Sequence, residues 1–500
     1  MKYIPTIGLE VHAELKTRTK MFCDSLNDPD EKHPNVNVCP ICMGHPGTLP
    51  VINEDAVRKV ITVGLALNCS IERDTFFERK NYFYPDLPKG YQISQYQKPL
   101  CRDGHLDIGN PPSHKASEGS KRIRLERIHL EEDTGRSYHL PGQKYTLLDF
   151  NRAGVPLMEL VTRPDLKSGQ EVRAFAQELQ LILRYLGVSD ADMEKGQMRV
   201  EVNISLAPEG AKELGTKVEV KNINSISAAA RAVDYEIERQ SELLDEGKKV
   251  VQETRGWDEN KGKTVSQRIK EGSADYRYFP EPDLPPLILD EKLIDEIRAG
   301  IPELPDQRRT RFVAEYGLSA HDVSVFVQNK SLGNYFEHVA SELKAFDKLG
   351  HLERPAPEHT EKLLKLAANY CITELARMAD EVSAQPQETK VTPELFADLV
   401  VRIFHGEVSS SGAQAVLKEI FATGKTPEQV IKEKDLVQLS DVASLEQAIT
   451  DVIAQEPQAI ADYRKGKEAA LKFLVGKVMS ATRGKANPQI VEKLLKARLR

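Results

Sequence analysis

Residues 7–15 read IGLEVHAEL, a run in which apolar and polar residues alternate. Period-two alternation marks a strand, because successive side chains point to opposite faces. Glu10, His12 and Glu14 therefore project together, and Leu9, Val11 and Ala13 pack behind them. The N-terminus is thus committed to a sheet with two unlike faces. A carboxylate beside an imidazole suits a divalent metal or acid–base work. A solvated strand face is the ordinary alternative.

The segments after this strand set the fold class. IRLERIHLEED (123–133), YTLLDF (145–150), LMELV (157–161), MRVEVNISL (198–206) and TKVEVKNI (216–223) all read as strands. Helices are expected over 53–68, capped by Asn53, over 169–187 and over 226–247. Strands and helices mix without a βαβ rhythm, which predicts an α+β domain on antiparallel sheet over residues 1–290. The chain changes character after EPDLPPLILD (281–290) and the IPELP stretch (301–305). Beyond them almost every segment reads as helix. A second shift at HGEVSSSGAQAV (405–416) divides this part into a helical domain, 291–405, and an all-helical tail, 406–500.

Charge is unevenly spread. The net charge is −7, yet residues 464–500 hold eleven Lys or Arg against two Glu. A basic end on an acidic body fits a polyanion such as nucleic acid, and a solvated basic helix face is the plain alternative. No apolar run approaches the roughly 20 residues of a membrane span. The N-terminus lacks the pattern of a signal peptide. The six cysteines form no even framework and read as reduced thiols of a cytoplasmic protein.

Four segments carry chemistry. In IRLERIHLEED, alternation puts Glu126 and Glu132 on one face and His129, Glu131 and Asp133 on the other. Adjacent carboxylates repel unless a cation compensates, and hard oxygen ligands select Mg²⁺ or Ca²⁺. An exposed acidic turn is the alternative. The segment ERKNYFYPDLPKGYQIS (78–94) offers Arg79, Lys80 and Lys89 as donors among Tyr82, Phe83, Tyr84 and Tyr91. Its prolines and Gly90 enforce a rigid irregular loop, suited to phosphate oxygens. No GxxxxGK[ST] and no GxGxxG after a strand is present, so a nucleotide would bind through metal and point charges. CPIC (39–42), with Cys23 upstream, is a partial zinc pattern, and small buried cysteines are the alternative. SQRIKEGSADYRYFPEPDLPPL (266–287) is dense in charge and aromatics, as a binding surface or a connector.

Taken in order, IGLEVHAEL, RKNYFYPDLPKGYQIS, HLEED, DFNRAGVPLMELVTRPD, EVKNINS, KEGSADYRYFPEPDLPPL, IPELP and FLVGKVMSATRGKANPQIV resemble the B subunit of the aspartyl/glutamyl-tRNA amidotransferase over the whole chain. The resemblance implies a cradle domain similar to glutamine synthetase and guanido kinase catalytic domains, then helical and tail domains, the tail contacting tRNA. It implies a heterotrimer with an amidase, the A subunit, and a small third member, the C subunit. ATP and Mg²⁺ would phosphorylate the side-chain carboxylate of Glu-tRNA(Gln) or Asp-tRNA(Asn), and ammonia from the amidase would then displace the phosphate. Under it, Glu10, His12 and Glu132 are the catalytic metal candidates, with Glu131, Glu159 and Glu201 behind them. Arg79, Lys80 and Lys89 would contact phosphate or substrate, with Tyr82 and Tyr84 near the nucleotide or amino acid. Lys477, Arg483 and Lys485 would touch tRNA. The family's C-x-C pair is incomplete, because Ser25 stands at its second position. That leaves Cys23, Cys39 and Cys42 and weakens the case for Zn²⁺. The chain lacks an amidase signature or a cysteine glutaminase motif, so its ammonia would come from a partner. Two rivals stand beside this reading. One is a glutamine-synthetase-like ligase on a free small acid, which has no use for the basic tail. The other is a non-catalytic tRNA-binding scaffold.

Overall fold

The computed structural model describes residues 2–109, 120–269, 276–345, 348–349, 352–353, 359–437, 442–482, 486 and 488–499. The chain divides into two compact units, Met1–Leu304 and Pro305–Arg500.

The first unit is built on a ten-stranded sheet. Its strands run in the spatial order Lys263–Ile269, Glu253–Asp258, Val218–Lys221, Met198–Pro208, Tyr3–Glu14, Pro156–Thr162, Lys121–Glu132, Cys101–Arg102 and Ser70–Ile71, and His105–Ile108 also pairs with Lys121–Glu132. All pairings are antiparallel except that of Val218–Lys221 with Glu253–Asp258. The expected α+β unit with a mostly antiparallel sheet is therefore present. The Tyr3–Glu14 strand lies inside it, opposite Pro156–Thr162 on one side and Met198–Pro208 on the other.

One face of the sheet is core. Ile7, Leu9, Val11 and Ala13 are buried completely, alongside Ile128, Leu130, Leu160, Val200, Val202 and Ile204. Burying each large aliphatic side chain stabilises the fold by roughly 1.5–3 kcal/mol. Three helices supply the other half of this core. Glu54–Ala66 packs on Lys121–Glu132, Gly169–Tyr185 on His105–Ile108, and Ile226–Asp245 on Met198–Pro208. Each begins where the sequence provides a cap. Asn53 accepts from the Ala56 amide, Ser168 from Glu171 and Ser225 from Ala228. Gly169 is needed for close approach, since a Cβ there would come within 2.4 Å of the Ala230 carbonyl oxygen on the neighbouring helix.

The second unit is helical among the described residues, apart from the two-residue pair Lys348–Leu349 and Leu352–Glu353. Phe312, Tyr316, Phe326 and Phe336 form an aromatic cluster near its start. The last four helices, Val442–Gln455, Pro457–Arg464, Glu468–Ala481 and Pro488–Leu499, gather around a core of their own that includes Leu445, Ile449, Leu474, Val478, Val491 and Leu495. No helix among the described residues is long and apolar enough to cross a membrane.

A buried charge ties the third helix of the first unit to the sheet edge. Glu236, fully buried, accepts two bonds from Arg239 (2.9 and 2.7 Å), one from Gln240 (2.9 Å) and one from the Thr264 hydroxyl (2.5 Å). Arg255 stands 3.2 Å away. Burial alone would raise this carboxyl, but the bonds from Arg239, Gln240 and Thr264 bring it below its ordinary value. Its stabilising contribution is therefore present above the unfolded value near 4.5 and fades as pH falls through the depressed folded value. Glu236→Ala should destabilise the unit by about 3–5 kcal/mol, because Arg239 loses its buried partner. Chemical denaturation at pH 7 measures this, and the wild-type advantage should shrink at acid pH.

Candidate metal and phosphate site

The polar face of the sheet carries the site, and the register assembles it. His129 lies opposite Glu159, Glu159 opposite His12, and Glu10 opposite Glu201. Side chains directly opposite on adjacent strands share a face. His12 Nε2 is 3.3 Å from Glu159 Oε2, 3.6 Å from Glu131 Oε1 and 3.8 Å from Glu10 Oε1. His129 Nε2 is 3.7 Å from Glu131 Oε2 and 3.6 Å from Glu159 Oε2. Glu10, His12 and Glu159 form one group able to hold a metal ion, and His129, Glu131 and Glu159 form another. Glu159 belongs to both.

The electrostatics suit a cation. Burial would lower the His12 imidazole, yet the bond and charge of Glu159, with Glu131 and Glu10, push it up to about 9. Burial likewise works against ionised Glu159 and Glu131, but His129 and His12 hold Glu159 below its usual range, and His129 and Lys80 do the same for Glu131. Glu10 goes the other way, raised by burial and by Glu159. Three carboxylates, Glu10, Glu131 and Glu159, thus stand within 3.8 Å of the His12 imidazole. His129 Nδ1 is buried without a hydrogen-bond partner.

Lys80 completes the site. It comes from the strand Glu78–Asn81 and sits 5.2 Å from the centroid of Tyr276 and 6.0 Å from that of Tyr82. Burial opposes its charge, but Glu131 and Glu159 hold it protonated well above the ordinary lysine value. Tyr82, Tyr276 and Tyr278 wall it in with edge-on ring contacts.

Other sequence candidates lie elsewhere. Glu132 is not brought to Glu10 and His12, because alternation points it to the opposite side of its strand. There its carboxylate accepts from Lys89 Nζ, at 2.6 Å for Oε2, and from the Ile93 amide at 2.9 Å. Lys89 is thereby occupied. Gly44, at φ +67°, lies against it, and a Cβ there would come within 2.7 Å of Lys89 Cγ. Arg79 is also spent, with bonds of 2.7 Å to both oxygens of Glu281 and its guanidinium 4.2 Å over the ring of Tyr91. Tyr84 is exposed, in edge contact with Tyr82. Glu201 pairs with Lys221 at 2.8 Å. Lys477 pairs with Glu456 at 2.8 Å, and Arg483 and Lys485 lie outside the described residues. Sequence reading ranks Glu159 low and does not name His129 as a ligand. The available signal is a polar residue flanked by apolar ones, Glu159 in LMELV and His129 in IHL.

The cysteines converge as well. The sulfurs of Cys23, Cys39 and Cys42 lie within 4.8 Å of one another. Cys42 accepts from the Cys39 amide at 3.1 Å and from Lys20 Nζ at 3.7 Å, and Ser25 Oγ is 3.9 Å away. A bond from Cys23, with help from Lys20 and against burial, pulls Cys42 down to about 4. Cys23 is pushed up correspondingly. The depressed Cys42 thiol favours the thiolate form, which is a zinc and soft-metal ligand.

Comparison with known proteins identifies the family. Residues 5–295 match the model of the GatB/GatE catalytic domain, and residues 357–499 match that of the GatB domain. The B subunit of the aspartyl/glutamyl-tRNA(Asn/Gln) amidotransferase of Caldicellulosiruptor saccharolyticus is 46% identical over 502 residues, covering 100% of this chain and 99% of its own length. Its counterpart of the same name from Carboxydothermus hydrogenoformans is 45% identical, with 100% and 99% covered. That from Persephonella marina is 45% identical, with both chains fully covered. With full-length likeness at this level and both family models matched, the chain belongs to the family of the B subunit of the aspartyl/glutamyl-tRNA(Asn/Gln) amidotransferase, a ligase.

Proposed function

We propose that the polar face of the first unit is where ATP phosphorylates the side-chain carboxylate of Glu-tRNA(Gln) and Asp-tRNA(Asn), and where ammonia then converts the acyl phosphate to the amide. The observation that carries this is the meeting of His12, His129, Glu10, Glu131 and Glu159 beside the buried cation of Lys80. A carboxylate has no good leaving group, and transfer of the γ-phosphoryl group of ATP to one of its oxygens supplies one. ADP leaves in the first step. Ammonia attacks the carbonyl carbon in the second, and inorganic phosphate leaves. Both steps need charge neutralisation more than covalent catalysis.

The donor set fits Mg²⁺, since carboxylate oxygens predominate. Glu10, His12, Glu131 and Glu159 would hold it, with His129 at the rim. When bound, Mg²⁺ neutralises and orients phosphate oxygens. Lys80 is a point charge for the transferring phosphoryl group, kept dry and fixed by its three tyrosines. Glu132 and Lys89, paired on the other side of the strand, are assigned a structural role. We read the helices of 291–405 and 406–500 as separate domains, the last one carrying the tRNA body on its basic surface. An amidase partner and a small third polypeptide complete the enzyme, and the cytoplasm, where aminoacyl-tRNA is found, is its compartment. Carboxylate phosphorylation on an antiparallel sheet also fits kinship with glutamine synthetase and guanido kinase catalytic domains. For the cysteine trio we infer a capacity for Zn²⁺.

Three outcomes are expected. With ammonium chloride as nitrogen donor and the amidase partners co-expressed, Glu159→Ala and Glu10→Ala should each lower ATP-dependent amidation of Glu-tRNA(Gln) by about 10²-fold or more while tRNA binding persists. Full activity in both would mean that the chemistry lies elsewhere and the chain serves as a tRNA scaffold. Second, a cation at His12 must displace a proton held up to about 9, so Mg²⁺ affinity should rise as pH is raised from 7 to 9. Isothermal titration at several pH values checks this, and a flat profile would remove His12 from the ligand set. Third, elemental analysis of purified protein should find zinc, and Cys42→Ser should release it. Zinc-free wild-type protein with full activity ends that assignment.

A further inference from the structure

Cys23 and Cys42 come from two separate tight turns. The first is closed by the Lys20 amide, which donates to the Ser25 carbonyl at 2.9 Å, and by a bridge between Thr19 and Leu26. The second runs through CPIC, where the amides of Met43 and His45 donate to the carbonyls of Cys39 and Pro40 at 3.0 and 2.9 Å. Together the turns bring the sulfurs of Cys23, Cys39 and Cys42 within 4.8 Å of one another, and the Cys23 and Cys42 side chains share a hydrogen bond. Cys23 and Cys42 are buried and Cys39 is half-buried, so the cluster lies just beneath the surface.

A structural zinc ion takes four ligands from Cys, His, Asp and Glu. Among the described residues no fourth group of these types joins the three sulfurs within 4.8 Å. Ser25 Oγ stands 3.9 Å from Cys42, but a hydroxyl is not among the usual zinc ligands. Lys20 is fully buried and brings Nζ to 3.7 Å from the same sulfur, and an ammonium has no lone pair to give. His33 is turned to solvent and paired with Glu31 at 2.9 Å. Zinc at this cluster therefore rests on three thiolates and keeps an open position. Two of those three sulfurs, already in hydrogen-bond contact, are also the reactants of a disulfide.

We propose that Cys23 and Cys42 form a reversible disulfide when the chain meets a peroxide, and that this bond and zinc exclude one another. In the first step the Cys42 sulfur attacks an oxygen of hydrogen peroxide. The O–O bond breaks, an S–O bond forms, and the departing oxygen leaves as water with the thiol proton. In the second step the Cys23 sulfur attacks the Cys42 sulfur. The S–O bond breaks, the S–S bond forms, and the hydroxyl leaves as water with the Cys23 proton. The two sulfurs are oxidised by one electron each, and the peroxide is reduced. Cys39 stays a thiol, and a dithiol reductant reverses the bond by exchange. Closure removes two of the three zinc ligands. The inference builds on the zinc capacity proposed above without depending on it, because the same steps run in metal-free protein.

The test uses the full complex with its amidase partners. It is treated with hydrogen peroxide, with and without prior chelation of metal, and the mass of this chain is read before and after dithiothreitol. Wild type and Cys39→Ser should each lose two hydrogens and regain them on reduction, whereas Cys23→Ser and Cys42→Ser should lose none. Peptide mapping of oxidised wild type, which depends on no variant, should join Cys23 to Cys42. Where the complex carries zinc, a colorimetric chelator should record its release in step with the mass loss. A disulfide mapped to Cys39, Cys69 or Cys101 overturns the proposal, as does oxygen added to sulfur with no disulfide. Zinc still held with the bond closed overturns it too. Zinc-free wild type that forms the Cys23–Cys42 bond upholds this proposal while removing the zinc reading.

Discussion

Everything in the first unit depends on one sheet being oil on one side and salt on the other. The Tyr3–Glu14 strand sets the terms. Its inward residues Ile7, Leu9, Val11 and Ala13 are fully buried, while Glu10 and His12 project from the opposite side only one residue away. Carboxylates gathered on a partly dry surface resist ionisation and repel one another. The fold answers with cations: Lys221 at Glu201, Arg199 at Asp133, Lys80 at Glu131 and Arg127 at Glu159. Around His12 three carboxylates, Glu10, Glu131 and Glu159, converge on one imidazole, an arrangement in which a metal ion could take the place of its proton.

Positioning comes from elements far apart in the chain. The segment 78–94 contributes Lys80, and Asn81 is tied to the backbone carbonyls of Tyr276 and Arg277. Arg79 is bonded to Glu281, itself buried. These anchors hold the loop over the sheet, and under the proposed function they leave Lys80 little reorganisation to undergo. Preorganised charge of this kind is what phosphoryl transfer uses.

Part of this is legible without the fold. Strand alternation pairs Glu10 with His12 and separates Glu131 from Glu132, and Asn53 marks the start of its helix as a cap should. Motif likeness favours Glu132, whereas the sheet turns Glu131 toward His12. Arg79 looks free in the sequence because its partner Glu281 stands 202 positions later. The bulge at Glu126 leaves no trace in the sequence, since one extra residue in a strand alternates as any other does. Strands such as Ser70–Ile71 and Cys101–Arg102 are too short to display a period at all. Glu253–Asp258 and Lys263–Ile269 escape sequence reading because their residues, ETRGWD and KTVSQRI, carry no clean alternation.

The pairing of Tyr3 with Pro208 has a consequence for the newborn chain. The first strand leaves the ribosome well before either neighbour exists, and Glu159, His129 and Lys80 are still to be made. Contacts this distant in sequence form late. A nascent chain that stops short of Glu159 therefore has no assembled polar centre, because the strand that joins the two ligand groups is not yet made. Competence is reserved for chains that have been read through at least to the strand ending at Pro208.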